Sequence, residues 1–314
     1  MTKPYFIFEI TPECDFDCIY CYNVWKANSD YQQKTLSAEK IKELFNKILQ
    51  NTDIEGVTIT GGEPLLYPEL LDVAKFFKSK NIKLGITTHG ALLDEAKTKE
   101  LIDAGFSYFE ISLDAVNPEI HEKLTKNNQL DKIKKTILNI KKYGGLLTIS
   151  TIISKINLDE IPNVIDLSFA FSADFISLNR FIPGGQGLKN ISELSPGSED
   201  LKKVLEIANQ KAEKYKFNIN ISVPVEDCII PHKNYPNLNF GTCLCGEKKW
   251  LIDSVGNLRT CEQNPEILGN LFETSFPDLY NSESAQKFRL NNLKINCKTC
   301  KSYFSCGGAC RFIR

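Results

Sequence analysis

Residues 5–22, YFIFEITPECDFDCIYCY, carry the pattern on which the fold turns. The run Tyr5–Thr11 is apolar and rich in β-favouring residues, and reads as a first strand. The loop after it holds three cysteines within eight residues, Cys14, Cys18 and Cys21. Three thiolates cannot close a tetrahedral metal site. On a 4Fe–4S cluster they leave one iron open, and an open iron can bind a substrate or cofactor. Spacing alone leaves two other readings, a zinc site with a distant fourth ligand and plain buried thiols.

Outward from this loop, strands and helices alternate. Ser37 is placed to cap a helix whose Ile41, Leu44, Phe45 and Ile48 fall at helical spacing. Gly56–Thr60, Lys83–Thr88, Tyr108–Leu113, Leu147–Ile153 and Phe175–Phe181 read as five further strands. Helices over Leu70–Lys80, Leu92–Ala104, Leu130–Tyr143 and Leu158–Phe171 lie between them. This order predicts an α/β chain, a partial (β/α)6 barrel of parallel strands with its active groups at the strands' C-terminal ends. Past Gly187 the pattern changes. Leu201–Tyr215 reads as a helix, Asn218–Val223 as a strand, and Trp250–Thr260 as a β-hairpin turning at Gly256. The expected division is a barrel over 1–187, a helical linker over 188–225 and a small cysteine-rich β-hairpin/loop iron–sulfur domain over 226–314.

The 314 residues are 42% hydrophobic and 25% charged, enough apolar content to bury a full core. A net charge of −1 gives no reason to expect nucleic acid or a membrane surface as partner. The N-terminus lacks an apolar run with a cleavage site, and no later run is long enough to span a bilayer, so a cytoplasmic protein is expected. In that reducing compartment eleven cysteines, an odd number at short spacings, point to metal or cluster ligation. Residues 285–314 carry seven basic side chains and no acidic one. They read as a solvated basic face or as counter-charge to a thiolate-ligated cluster or an acidic substrate.

The spacing Cys14-x3-Cys18-x2-Cys21, with Tyr20 before the third cysteine, resembles the radical S-adenosylmethionine (SAM) motif. The resemblance continues in order at later strand ends. Gly61-Gly62-Glu63-Pro64 resembles the family's GGEP segment, which carries the SAM methionyl amine. Glycines there let backbone carbonyls approach an ammonium group. Thr87-Thr88-His89-Gly90 is similar to its TNG segment, with His89 where Asn is usual. Ser112-Leu113-Asp114 resembles its S-x-D segment. Asn157 and Arg180 fall where the family places SAM- or substrate-facing groups, although Asn157 also suits a helix N-cap and Arg180 a salt bridge. The resemblance implies a 4Fe–4S cluster on Cys14, Cys18 and Cys21, with Tyr20 beside the adenine of SAM.

Further on, Cys243-x12-Gly256-x4-Cys261 precedes Cys297-x2-Cys300-x5-Cys306-x3-Cys310. This resembles the SPASM pattern, a module for auxiliary 4Fe–4S clusters, in six of its seven cysteines; paired zinc knuckles are the other reading. The resemblance implies one cluster on Cys243, Cys261 and Cys310 and a second on Cys297, Cys300 and Cys306. The family's seventh cysteine has no counterpart, and Cys228 and Cys245 are left over to complete one or two auxiliary clusters.

The resemblance implies an oxidoreductase-like enzyme. It would cleave SAM reductively to a 5′-deoxyadenosyl radical and oxidatively modify a peptide or protein, as a peptide maturase does. Glu262, directly after Cys261, is the expected catalytic base. A flavodoxin- or ferredoxin-like reductant is implied. No leader-binding segment precedes the first strand, which points to a separate leader-peptide-binding protein. RFIPGGQG over 180–187 also resembles relatives acting on tetrapyrroles and other small molecules, such as sugars, the alternative substrate class. A non-catalytic iron–sulfur or zinc protein would need none of the SAM segments.

Overall fold

The computed structural model describes residues 3–312 apart from 29, 32, 33, 292–296 and 298. β1 (Tyr5–Thr11), β2 (Gly56–Gly61), β3 (Lys83–Thr88), β4 (Phe106–Ser112), β5 (Leu146–Ile153) and β6 (Phe175–Arg180) pair in parallel in that order. This is the expected partial barrel. β7 (Ile219–Ile221) and β8 (Leu238–Phe240) extend it beyond β6, again in parallel. β8 was not anticipated from the sequence.

The strands alternate because each has one face to the helices and one to the interior. On β1, Phe6, Phe8 and Ile10 are fully buried against the outer layer, while Tyr5 and Ile7 line a central cleft. On β4, Phe109 and Ile111 are likewise buried, and Tyr108, Glu110 and Ser112 face the cleft. The outer layer comprises α1 (Ala38–Leu49), α2 (Leu70–Ser79), α3 (Glu95–Ala104), α4 (Pro118–Thr125), α5 (Leu130–Lys142) and α6 (Ile161–Ala170). Ser37 caps α1 as expected, and Ile41, Leu44, Phe45 and Ile48 form its buried stripe. α3 begins later than expected, because the Asp94 carboxylate accepts from Lys97 N at 2.8 Å and sets the N-terminus there. α4 was not foreseen, although Asn117 as cap and Pro118 at the first helical position announce it. α7 (Ile191–Leu194) and α8 (Ser198–Tyr215) follow β6.

The cysteine-rich segment joins the same sheet. β9 (Lys249–Ile252) pairs in parallel with β1, β10 (Asn257–Arg259) returns antiparallel to it, and β11 (Ile267–Asn270) adds an edge that the sequence reading lacked. Gly256 turns the hairpin at φ +89°, and the Asp253 carboxylate accepts from Val255 N and Asn257 N at 3.0 and 2.9 Å. Arg259 is fully buried and reaches past β9 to clasp both oxygens of Glu9 on β1 at 2.7 Å. α9 (Phe276–Tyr280), α10 (Glu283–Asn291) and α11 (Tyr303–Cys306) close the chain's described part. No helix among the described residues is long and apolar enough to cross a membrane.

Candidate active site

The loop of Cys14, Cys18 and Cys21 leaves the C-terminal end of β1 and is clamped from two sides. On one side Gly62 N donates to Thr11 O and Glu63 N to Glu13 O, both at 2.7 Å, and the Asn23 side chain donates to Gly61 O at 2.9 Å. A Cβ on Gly62 would sit 2.1 Å from Glu13 O. Here the paired glycines serve close backbone contact. On the other side the RFIPGGQG segment does the same, with Gly187 N donating to Cys21 O at 3.1 Å. A Cβ on Gly185 would come within 2.6 Å of Cys21 O.

Glu63 is completely buried beneath this loop. Its carboxylate accepts from Thr88 Oγ1 (2.6 Å), Leu65 N (3.0 Å) and His89 N (3.0 Å), so it ties the ends of β2 and β3 together. Pro64 is buried and opens the short turn behind it. The His89 ring stacks on Phe16 at 3.8 Å, accepts from Ala91 N at Nδ1, and bridges Asp15 (2.8 Å) and Glu63 (3.0 Å) through Nε2. Asp15 and Phe16 sit inside the cysteine loop, so His89 helps to seat it. Asp114 accepts from the Tyr20 hydroxyl and from Ile152 N at 2.8 Å. It fixes the aromatic ring that precedes Cys21, and burial pushes its carboxyl up to about 6. Ser112 lines the cleft.

Asn157 departs from the expectation. It is fully buried, its oxygen accepts from Ser154 N and Oγ at 2.8 Å, and its amide donates to Asp114 O and Ile152 O at 2.7 Å. Every polar atom is used inside the protein. It neither caps the following turn by its side chain nor lines the cleft. Arg180 does line the cleft, and it pairs with Glu226 at 2.9 Å and donates to Pro224 O at 2.8 Å, in line with the salt-bridge alternative.

The cleft has a volume of about 770 Å³. Tyr20, Ser112 and Asp114 line one side, and Cys243, Cys245, Cys261, Cys310 and Glu262 line another. Among the described residues, Cys245, Cys261 and Glu262 bring three ligand atoms within 4.8 Å of one another. A hydrogen bond from the Cys245 thiol, with help from Arg311, draws the Cys243 thiol below its ordinary value. Arg311 also donates to Cys245 O at 3.0 Å and Arg289 to Gly246 O at 2.8 Å. Two members of the basic C-terminal stretch thus turn inward on the thiol corner. Glu262 forms an ion pair with Lys249 at 2.6 Å. Burial raises its carboxyl, but the Lys249 ammonium outweighs burial and holds it below the usual range. Cys228 lies elsewhere, within electrostatic reach of Cys300 and Cys306, and its neighbour Asp227 bonds Ser302. Lys249, Asn23 and Asp15 were not singled out from the sequence; nothing in their spacing marks them, since each acts through a partner on another element.

The donor set fits iron–sulfur ligation, because all eleven cysteines are free thiols, including those that lie together.

Residues 8–168 match the model of the radical SAM superfamily. The chain belongs to that superfamily. Residues 243–302 match a second family, an iron–sulfur cluster-binding domain, SPASM. This radical SAM chain is therefore a SAM-cleaving enzyme with SAM, a SAM-binding 4Fe–4S cluster and auxiliary 4Fe–4S chemistry as its cofactors. It is 24% identical over 315 residues to the PqqA peptide cyclase of Bradyrhizobium diazoefficiens, covering 97% of this chain and 80% of that protein. It is 24% identical to the AdoMet-dependent heme synthase of Methanosarcina barkeri over 96% of this chain and 89% of that one. Streptococcus suis SuiB, solved bound to its precursor peptide SuiA, superposes with a TM-score of 0.75 at 17% identity, over 96% of this chain and 70% of SuiB.

Proposed function

We propose that this chain oxidatively modifies a peptide or protein held in the central cleft. The observation that carries the reading is that a single cleft is lined both by the strand-end residues around Tyr20 and by the thiol corner with Glu262. When bound, the SAM and cluster chemistry supplies a 5′-deoxyadenosyl radical for hydrogen removal and a nearby electron acceptor. The chain's own residues do the rest. Cys14, Cys18 and Cys21 hold the SAM-binding cluster, Asp114 fixes Tyr20, and the backbone of Gly61–Glu63 with Thr88, His89 and Ser112 shapes the SAM side. Cys243, Cys245, Cys261 and Cys310 hold one auxiliary cluster, and Cys228, Cys297, Cys300 and Cys306 the other. Glu262, kept ionised by Lys249, takes the proton that leaves the substrate as it is oxidised.

The similarity to a peptide cyclase and the shared fold with a peptide-bound enzyme support the substrate class. The heme synthase favours the alternative, a tetrapyrrole or other small molecule. The glycine-rich segment that first suggested it packs on the cysteine loop, so a seating role accounts for that segment. The reading puts the enzyme in the cytoplasm, with a flavodoxin- or ferredoxin-like reductant and a separate leader-binding protein; the segments expected to divide near 187 and 225 share one sheet, since β7 follows β6 and β9 pairs with β1.

The test is anaerobic turnover with SAM and dithionite, offering short peptides encoded beside the gene and, in parallel, a protoporphyrin-type tetrapyrrole. A peptide that loses hydrogen mass as 5′-deoxyadenosine appears supports the reading; modification of the tetrapyrrole alone overturns it. Glu262→Gln should keep SAM cleavage and iron content while slowing product formation about a hundredfold. Normal turnover by that variant removes Glu262 as the base.

A further inference from the structure

The charges lining the cleft do not all cancel within the protein. Its three described cations, Arg180, Lys249 and Arg311, are paired with Glu226, Glu262 and Glu247. Of its acids, Asp114 is bonded by Tyr20 and Ile152 N, and Glu262 by Lys249. Glu110 is different. Its carboxylate has the Tyr108 hydroxyl at 3.3 Å, and among the described residues no cation pairs with it.

The surface around Glu110 is shaped. Tyr5 and Tyr108 line the cleft beside it, on β1 and on β4 itself. Their rings lie against glycines of neighbouring strands. A Cβ on Gly56 would meet the Tyr5 ring at 2.7 Å, and one on Gly85 would meet the Tyr108 ring at 2.8 Å. Any larger residue at either glycine would displace a ring. Burial pushes both phenols above their usual value, and the Glu110 charge adds to it in each. Thr148, opposite Glu110 on β5, and Thr58, bonded to Tyr5 at 2.6 Å, add hydroxyls to the same lining. A carboxylate in a partly dehydrated cavity attracts a cation strongly, and two aromatic rings beside it add cation–π attraction.

We propose that Glu110, Tyr5 and Tyr108 form a subsite for a cationic substituent of the substrate, an ammonium or guanidinium group. This rests on the reading that the substrate occupies the barrel cleft, and it narrows the peptide class to one presenting a lysine, an arginine or a free amine there. No bond is made or broken at the subsite; it selects and orients.

The test uses the reconstituted full chain with SAM and four peptides, Ala-Ala-Xaa-Ala-Ala with Lys, Arg, norleucine or Glu at Xaa. The Lys and Arg peptides should bind about tenfold more tightly than the other two, the scale of one charge-assisted hydrogen bond. Glu110→Gln keeps the Tyr108 contact and should erase that preference. Tyr108→Leu leaves the carboxylate and should reduce it. A parent enzyme that does not distinguish Lys from norleucine, or a Glu110→Gln variant that still does, overturns the subsite. If no peptide binds, the peptide reading falls, and saturation-transfer NMR with n-butylammonium against n-butanol decides Glu110 separately. A cation-specific signal lost in Glu110→Gln supports the subsite, and equal signals overturn it.

Discussion

His121 on α4 is 1% exposed, and among the described residues neither ring nitrogen has a hydrogen-bond partner. Burial, aided by Lys134 and His89, lowers it to about 4. The unfolded chain takes up a proton near pH 6.5 that the folded chain refuses until about 4. Its contribution to stability is therefore complete above pH 6.5 and is lost as pH falls towards 4. Urea midpoints at pH 7 and pH 5 should fall more steeply for the parent than for His121→Leu, and equal slopes would contradict this. The same scale shows where sequence reading stops. The Gly-Gly-Glu and S-x-D segments were legible as segments, but the partners of their side chains were not. Glu63 bonds Thr88 and His89, Asp114 bonds Tyr20, and Asn157 bonds Asp114 O, contacts spanning 25 to 94 residues that no local pattern encodes.

Among elements, the paired glycines 61–62 and 184–185 seat the cysteine loop. Gly62→Ala would press a methyl against Glu13 O and Pro12 O and should destabilise the fold by about 1–3 kcal/mol, the usual cost of overpacking. The loop should also lose its grip on iron, so the variant would retain less after gel filtration. Full iron and an unchanged melting curve would show that the loop is held otherwise. The six long strands were legible from their alternating or apolar runs. β8 and β11, of 3 and 4 residues, are too short to show a period, and they exist because a neighbouring edge was free to receive them.

At the scale of the whole molecule, the cysteines sort by place rather than by order in the chain. Cys245 sits with Cys243 and Cys261, whereas Cys228 sits by Cys300 and Cys306. Replacing Cys14, Cys18 and Cys21 together by Ala should remove about four irons per chain and abolish SAM cleavage while the remaining absorbance persists. Cys245→Ala and Cys228→Ala should each alter a different auxiliary signal in paramagnetic resonance. If both alter the same one, the division of ligands is wrong. Spacing alone left these two cysteines unassigned, because their assignment depends on how the loop near 228 meets the segment after Cys297.

The seam between β1 and β9 has a consequence for biosynthesis. β1 leaves the ribosome long before its second neighbour in the sheet and the Arg259 that clasps Glu9, which lie up to 250 residues later. During that interval one edge of a strongly apolar strand has no partner, and a buried carboxylate waits for its guanidinium. Such an edge invites pairing with other nascent chains. Slow translation, or truncation before β9, should therefore yield aggregated barrel rather than a smaller soluble one.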